Sequence, residues 1–134
     1  PRKGTMSMNI KDMKVLVCDD SILSRKKLKD CIIAIGCSEV YEAADGEEAV
    51  TRFKEYHPDL VFMDIVMPKK DGIAAVTEIL EEDKNAKVVM ASSVGTQSFL
   101  KDAIKAGAYD FLQKPLDPEQ VKRIINNISS QGGN

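Results

Sequence analysis

Short apolar runs alternate with helical patterns along this chain, and this alternation restricts the possible folds more than any other feature. Residues 15–18, 60–63 and 88–91 are apolar runs with no polar residue among them. Such runs are typical of strands that are buried on both faces of a parallel sheet. The sequence therefore predicts three interior strands.

Two further segments mix polar with apolar residues, at 39–43 and 109–113. A strand that borders a sheet is only partly covered, so polar residues are tolerated there. We predict that these segments form the two edges of the sheet.

Helical patterns fill the intervals between the predicted strands. Leu28, Cys31, Ile32 and Ile35 repeat at helical spacing, and Gly36 follows them as a stop. We predict helices over residues 21–35, 46–56, 72–82, 96–106 and 117–128. Five βα repeats imply an α/β, flavodoxin-like, doubly wound fold with five parallel strands and helices on both faces. With segments 39–43 and 109–113 at the edges, the strand order is predicted to be 2-1-3-4-5, as known for this fold.

Composition excludes several classes of protein. A chain of 134 residues with a net charge of -2 is one globular domain, without the basic balance that favours direct nucleic-acid binding. No apolar run is long enough for membrane insertion. Three cysteines without CxxC spacing and a single histidine argue against a disulfide framework and a zinc cluster. These features favour a cytoplasmic protein.

The domain itself is predicted to span residues 13–129. Residues 1–12 are interpreted as a vector-derived scar and N-terminal tail, and residues 130–134 as a C-terminal tail or truncated linker.

Polar residues follow the predicted strands at their carboxyl ends. Asp19 and Asp20 follow the first strand, Asp64 the third, Ser92 closes the fourth, and Lys114 follows the fifth. In an open α/β sheet these ends border the crevice where ligands bind. A single acid there often only caps the next helix, and Asp20 or Ser21 could do so. The convergence of several such groups instead predicts a functional site.

Neighbouring first and third strands would bring three carboxylates together. Carboxylates about 4 Å apart repel by ~4 kcal/mol per pair at an effective dielectric of ~20, so a cation is required. Mg²⁺ with oxygen ligands fits this role, and Lys114 adds one positive charge. A carboxylate held there is a competent nucleophile toward phosphorus, which makes Asp64 the candidate.

The residues at these strand ends resemble the receiver domains of bacterial response regulators. The matching pieces are residues 15–21, residues 59–68 followed by Asp71 and Gly72, residues 90–92 and residues 111–115. The resemblance covers about residues 13–128.

This resemblance implies a specific chemistry. A histidine kinase, or a small phosphodonor, would phosphorylate Asp64, and Ser92 and Lys114 would contact the phosphoryl group. Mg²⁺ would be bound by Asp20, Asp64 and the backbone carbonyl of Val66, with Asp19 acting largely through water. The protein would be a phosphoacceptor that catalyses phosphoryl transfer to itself and hydrolysis of the acyl phosphate. It would not be an enzyme with steady turnover of a substrate.

The resemblance also implies a switch. Ser92 would move toward the phosphoryl group, and Phe111 would turn into the space it leaves; alternatively, Phe111 is an ordinary residue of an edge strand. The Lys114-Pro115 bond is cis in relatives, although a trans proline that ends the strand is the other reading of the sequence.

Two smaller signals each have two interpretations. Val66 and Val94 either slow the hydrolysis of the acyl phosphate or only pack against neighbours. The basic run Arg25, Lys26, Lys27 and Lys29 is either a solvated helix face, which we favour, or a surface that docks a kinase.

The resemblance is strongest to the single-domain chemotaxis regulators of the family. It implies as partners a histidine kinase, a flagellar motor switch protein and a separate phosphatase, with the protein a monomer or a phosphorylation-dependent dimer. One alternative is a receiver excised from a longer regulator with a DNA-binding or enzymatic output domain. A phosphatase of the haloacid dehalogenase type is disfavoured because the first strand lacks its Asp-x-Asp pattern.

Overall fold

Five strands alternate with five helices in the computed structural model, which describes residues 8–93 and 97–131. The strands are β1 (Lys14–Cys18), β2 (Glu39–Ala43), β3 (Leu60–Asp64), β4 (Val88–Ser92) and β5 (Asp110–Gln113). The helices are α1 (Ile22–Ile35), α2 (Gly46–Tyr56), α3 (Gly72–Glu82), α4 (Gln97–Ala106) and α5 (Pro118–Gln131). A short 3₁₀ helix, Ile10–Asp12, precedes β1.

All neighbouring strands of the sheet are parallel, and their order is β2-β1-β3-β4-β5. This confirms the predicted flavodoxin-like, doubly wound fold with β2 and β5 at the edges. In the register of β3 with β4, Asp64 lies opposite Ala91, and in that of β4 with β5, Ser92 lies opposite Gln113. The polar residues at the carboxyl ends of the strands are thereby brought to one edge of the sheet.

The core consists of two apolar layers, one on each face of the sheet. The α1/α5 face buries residues such as Val17, Ile32, Phe62 and Ile125, and the α2/α3/α4 face buries residues such as Met63. Because successive side chains of a strand point to opposite faces, an interior strand must be apolar at every position. This explains the unbroken apolar runs.

Side chains and glycines fix the helix ends. Ser21 accepts a hydrogen bond from the Ser24 amide (3.2 Å) and caps α1, so the cap is Ser21 and not Asp20. Gly36 and Gly107 follow α1 and α4 with φ of 129° and 101°, where a residue with a Cβ is strained. Gly36 is the helix stop predicted from the sequence, and Gly107 ends α4 in the same way.

Both ends of the domain extend beyond the predicted boundaries. Helix α5 continues to Gln131, beyond the predicted end at Ile128, which is the last buried residue of the helix. Met8 and Ile10 pack against the apolar core of the α1/α5 face, and the Met8 amide donates to the Ser129 carbonyl at 2.9 Å. Part of the predicted N-terminal tail therefore belongs to the fold.

None of the helices within residues 8–93 and 97–131 combines the length and apolar character needed to cross a membrane.

Candidate functional site

Three carboxylates meet at the carboxyl ends of β1 and β3. One oxygen from each of Asp19, Asp20 and Asp64 lies within 4.8 Å of the others. Asp19 is buried, Asp64 is half-buried and Asp20 is exposed. They meet because the sheet order places β1 beside β3, as the sequence predicted.

Lys114 completes this cluster from the end of β5. Its Nζ lies 2.7 Å from Asp19 Oδ2 and 3.3 Å from Asp64 Oδ2. The Lys114-Pro115 peptide bond is cis, and the Lys114 amide donates to the Ser92 carbonyl at 2.8 Å. The lysine thus faces two acids that are distant from it in sequence.

Burial and the charges in the cluster shift the pKa values of Asp64 and Lys114. Burial raises the pKa of the Asp64 carboxyl above its ordinary value; Lys114 opposes this shift, and the negative charges of Asp19 and Asp20 add to it. Burial alone lowers the pKa of Lys114, but its hydrogen bond to Asp19 and the charges of Asp64 and Asp19 outweigh this and raise it. Lys114 is thereby held in its charged form.

The backbone of Asp19 is fixed as firmly as its side chain. The Ser21 amide donates to Asp19 Oδ1 at 2.9 Å, and the Asp19 amide donates to the Ala43 carbonyl at 3.0 Å. Arg25 Nη1 donates to the Asp19 carbonyl at 2.7 Å. Contacts from β2, α1 and Lys114 therefore converge on this one residue.

The loop after β3 packs closely against two helix starts. The side chain of Val66 is 59% exposed, whereas Ile65 and Met67 beside it are buried. A Cβ at Gly72 would lie 2.3 Å from the Asp64 carbonyl oxygen, and one at Gly46 would lie 1.8 Å from that of Lys70. Only glycine allows these close approaches. The metal-binding role of the Val66 carbonyl stays a prediction.

Ser92 and Phe111 belong to the α2/α3/α4 side of the site. Ser92 is 1% exposed, and Phe111 is half-buried against the core on that face. Met90 lies opposite Phe111 in the β4–β5 register, and Ser92 is two residues further along the same strand. Strand alternation therefore points Ser92 and Phe111 toward the same face. Val94 lies outside the described residues.

A cavity of about 480 Å³ opens beside the cluster on the α1/α5 face. Its apolar lining includes Leu28, Phe62, Leu116 and Val121, while Asp64 and Lys114 lie at its polar end.

The donor set of the cluster fits a hard divalent cation. All three side chains offer carboxylate oxygens, the ligands that Mg²⁺ and Ca²⁺ prefer, and the exposed position of Asp20 leaves room for water ligands. The cysteines are free, and Cys18 and Cys37 are buried. The acidic cluster is thus compatible with Mg²⁺.

Two residues beside the site were not predicted from the sequence. Arg25 belongs to the basic run for which we favour a solvated helix face, but its side chain is only 15% exposed and donates to Glu42 (2.8 Å) as well as to the Asp19 carbonyl. Its position four residues after the helix cap, on the side of the helix toward β1, was the available signal. Gly46 follows the capping residue Asp45, and a glycine at a helix start is ordinary in sequence. Nothing in the sequence therefore indicates that Gly46 packs against the distant loop at Lys70.

Comparison with known proteins places this architecture in one family. The family model described as the response regulator receiver domain matches residues 15–126. This chain belongs to the response regulator receiver domain family. Receiver domains act in two-component signalling.

The receiver domain is similar to chemotaxis proteins over most of its length. It is 45% identical over 116 residues to the chemotaxis protein CheY of Thermotoga maritima, covering 87% of this chain and 97% of the relative. It is 44% identical over 113 residues to CheY of Bacillus subtilis, covering 84% and 94%.

A solved structure gives the same picture. The CheY chain in the CheX-CheY-BeF3-Mg²⁺ complex from Borrelia burgdorferi is 37% identical, with a TM-score of 0.84 over 94% of this chain and 98% of that one. The family and its CheY-like character, both expected from the sequence, are confirmed.

Proposed function

We propose that Asp64 accepts a phosphoryl group from a histidine kinase and that this reaction switches the binding of protein partners. The observation that supports this proposal is the position of Lys114 Nζ, which lies 2.7 Å from Asp19 and 3.3 Å from Asp64 within a cluster of three acids. A merely structural ion pair would not need two further acids beside it, since their repulsion opposes folding.

The chain supplies the nucleophile and two hydrogen-bond donors. An Asp64 carboxylate oxygen attacks the phosphorus atom of a phosphohistidine, and the P–N bond breaks as the P–O bond forms. The bonding electron pair stays on the imidazole nitrogen, which takes a proton from water. Lys114 Nζ and the Ser92 hydroxyl donate hydrogen bonds to the phosphoryl oxygens, where negative charge must be balanced. The protein thus assists the phosphorylation of Asp64 and the hydrolysis of the resulting acyl phosphate, without steady turnover of a substrate.

Asp19, Asp20, Asp64 and the Val66 carbonyl are the groups that would hold Mg²⁺. When bound, this ion supplies the charge that offsets the phosphoryl oxygens. The formal charges of three carboxylates, one Mg²⁺ and Lys114 sum to zero.

Phosphorylation replaces one negative charge on Asp64 with about two, and so demands new donors. Movement of Ser92 toward the phosphoryl group changes the packing beside Phe111, because both lie on the α2/α3/α4 side. The phosphoryl group would select an alternative packing through its differential affinity. Phe111 is then the residue that reports phosphorylation to the surface of α4 and β5.

The similarity to CheY proteins supports a role in chemotaxis, with a histidine kinase upstream and a flagellar motor switch protein downstream. The Borrelia relative was crystallised in a complex with a separate protein, CheX, and this supports a separate phosphatase as a further partner. The free cysteines agree with a cytoplasmic location. The oligomeric state, monomer or phosphorylation-dependent dimer, is an outcome of the experiment below.

Stoichiometric labelling tests this proposal. The wild type, incubated with a small acyl phosphate and Mg²⁺, is expected to gain one phosphoryl group, and Asp64→Asn or removal of Mg²⁺ is expected to abolish the gain. Asp30→Asn is the matched control, because Asp30 is an exposed acid on α1 away from the cluster. Partners are then recovered with phosphorylated wild type and with Asp64→Asn as baits, and the size of each form is measured in solution.

Two outcomes would contradict the proposal. Equal labelling of Asp64→Asn and wild type would remove Asp64 from its role. Continuous release of phosphate from an ester substrate, without a stable labelled protein, would instead favour the phosphatase alternative.

A further inference from the structure

The side chain of Arg25 turns away from solvent, unlike its neighbours in the basic run. Its side chain is 15% exposed, compared with 69% for Lys26. Side chains of a helix lean toward its N-terminus, so a residue in the first turns of α1 can reach the chain that enters the helix. Arg25 reaches the end of β1, where the acidic cluster begins.

Two nitrogens of the Arg25 guanidinium contact two different segments, the residue that follows β1 and a residue of β2. Nη1 donates to the Asp19 carbonyl at 2.7 Å, and Nε donates to Glu42 Oε1 on β2 at 2.8 Å. Glu42 Oε2 also accepts from Lys29 at 3.1 Å, which holds the carboxylate in place. A planar guanidinium presents these two donors on separate nitrogens in a fixed geometry, whereas all the donors of a lysine lie on one nitrogen at the end of a flexible chain.

The Asp19 carbonyl belongs to the peptide unit that joins Asp19 to Asp20. The carboxylate of Asp19 is already fixed by Ser21 and Lys114, whereas Asp20 is exposed. Its direction therefore depends on the backbone. By holding the carbonyl of the preceding peptide unit, Arg25 restricts the rotation that points Asp20 toward the other two acids.

We propose that Arg25 is a positioning residue for the cation site: it orients the Asp19–Asp20 peptide unit, and through it the Asp20 carboxylate. The proposal rests on the proposed function of the cluster as a Mg²⁺ site. Arg25 touches neither the cation nor the phosphoryl group. Its contribution is to cation affinity.

Affinity for Mg²⁺ alone, without a phosphodonor, is the measurement that tests this role. Backbone amide shifts in NMR spectra report the titration. Arg25→Lys and Arg25→Ala are expected to weaken Mg²⁺ binding about tenfold, the usual cost of losing an outer partner of a metal ligand. At saturating Mg²⁺, the rate of Asp64 phosphorylation is expected to return to within about twofold of wild type, since the reacting groups are unchanged.

Lys29→Gln is the matched control. Lys29 lies on the same helix and donates to the same Glu42 carboxylate, at 3.1 Å, whereas the Asp19 carbonyl accepts from Arg25. We expect its Mg²⁺ affinity to match that of wild type. In the metal-free protein, amide hydrogen exchange at Asp20 is expected to be faster in Arg25→Lys than in Lys29→Gln.

The results separate this proposal from the proposed function. If wild type binds no Mg²⁺ and Asp64 is not phosphorylated, the function itself fails. If wild type does both and Arg25→Lys binds Mg²⁺ as tightly as wild type, only the role of Arg25 fails. Equal weakening in Lys29→Gln would also overturn it, because it would indicate a general effect of the Glu42 contacts. Arg25→Lys retains the charge and keeps the test valid if Arg25→Ala does not fold.

Discussion

Lys114 donates a hydrogen bond to the carboxylate of Asp19 across 95 positions of sequence, at 2.7 Å. The bond joins the last strand of the sheet to the first segment of the acidic cluster. Neither residue is near the other in the strand order, since β3 and β4 lie between β1 and β5. The contact therefore forms only when the whole sheet is assembled, and it connects the stability of the fold to the charge of the site.

Removal of this lysine is expected to weaken the fold as well as the chemistry. Lys114→Met leaves Asp19 buried without its charged donor, and we expect a loss of about 2 kcal/mol in the free energy of unfolding without metal. Urea denaturation at neutral pH measures the loss. Lys26→Met breaks an exposed ion pair with Asp30 and should cost less than about 0.5 kcal/mol. A Lys114→Met variant as stable as that control would show that the ion pairs of Lys114 do not stabilise the fold.

Divalent cations should stabilise the wild type and not a variant that lacks one acid. At Mg²⁺ concentrations about 100 times the dissociation constant, binding adds ~2.7 kcal/mol to the free energy of unfolding. Asp20→Asn should lose this increment and still fold, because Asp20 is exposed and its charge repels the other acids. Thermal unfolding with Mg²⁺ and with a chelator measures the stabilisation by Mg²⁺ in the wild type and in Asp20→Asn. An equal Mg²⁺ increment in the two proteins would place the cation elsewhere.

The Glu42 carboxylate makes stability depend on pH. Hydrogen bonds from Arg25 and Lys29 lower the pKa of Glu42 in the folded protein, although partial burial opposes this shift. Its contribution is therefore fully present above the unfolded pKa of about 4.3 and is lost as the pH falls through the lower folded value.

Glu42→Gln reveals this dependence by comparison with wild type. The carboxylate is more than one third exposed, so we expect only about 0.5 kcal/mol of difference near pH 7, falling toward zero near pH 3. Urea unfolding at several pH values measures it, with Glu55→Gln on α2 as an exposed control. A difference that grows as the pH falls would contradict the predicted sign.

Substitution of Gly46 gives a test in which two effects have opposite signs. Alanine favours a helix by up to about 1 kcal/mol relative to glycine, but its Cβ would lie 1.8 Å from the Lys70 carbonyl oxygen. We expect the clash to dominate, with a net loss of about 2 kcal/mol for Gly46→Ala. Glu47→Ala, at the exposed neighbouring position, should lie within about 0.5 kcal/mol of wild type. A Gly46→Ala variant more stable than wild type would show that the loop at Lys70 moves aside at little energetic cost.

The exposed side chain of Val66 allows the lifetime of the acyl phosphate to be tested without damage to the fold. Val66→Asn is expected to accelerate decay of phosphorylated protein, because an amide can orient water at the site, whereas Val66→Ala should leave the rate unchanged. Decay of labelled protein after removal of the donor measures the lifetime. Combination with Val94→Glu should accelerate decay further. An unchanged rate in the double variant would refute the hypothesis of slow hydrolysis.

The residues that were predicted correctly share a local signal. Unbroken apolar runs fixed β1, β3 and β4 because interior strands of a parallel sheet are covered on both faces. The polar residues that close them, such as Asp64, were then placed by topology alone. The helix ends at Gly36 and Gly107 also follow from local chemistry, since their positive φ values favour glycine.

The features that were missed depend on contacts between distant segments. In sequence, Arg25 looks like its solvated neighbours. Its hydrogen bond to Glu42 depends on the position of β2 beside α1, which the sequence around Arg25 does not indicate. The packing of Gly46 against Lys70 follows from the approach of α2 to the loop after β3, which no local pattern encodes. The extension of α5 and the docking of Met8 likewise reflect tertiary burial that overrides weak local preference.

The hydrogen bond between the Met8 amide and the Ser129 carbonyl brings the first and last parts of the described fold together. A short flexible linker could join them, and new termini could be opened at the exposed turn around Asn85, between α3 and β4. That turn precedes β4 and therefore lies at the amino ends of the strands, opposite the acidic cluster. A circularly permuted protein would keep its cation-binding edge intact while offering a different place to attach a reporter.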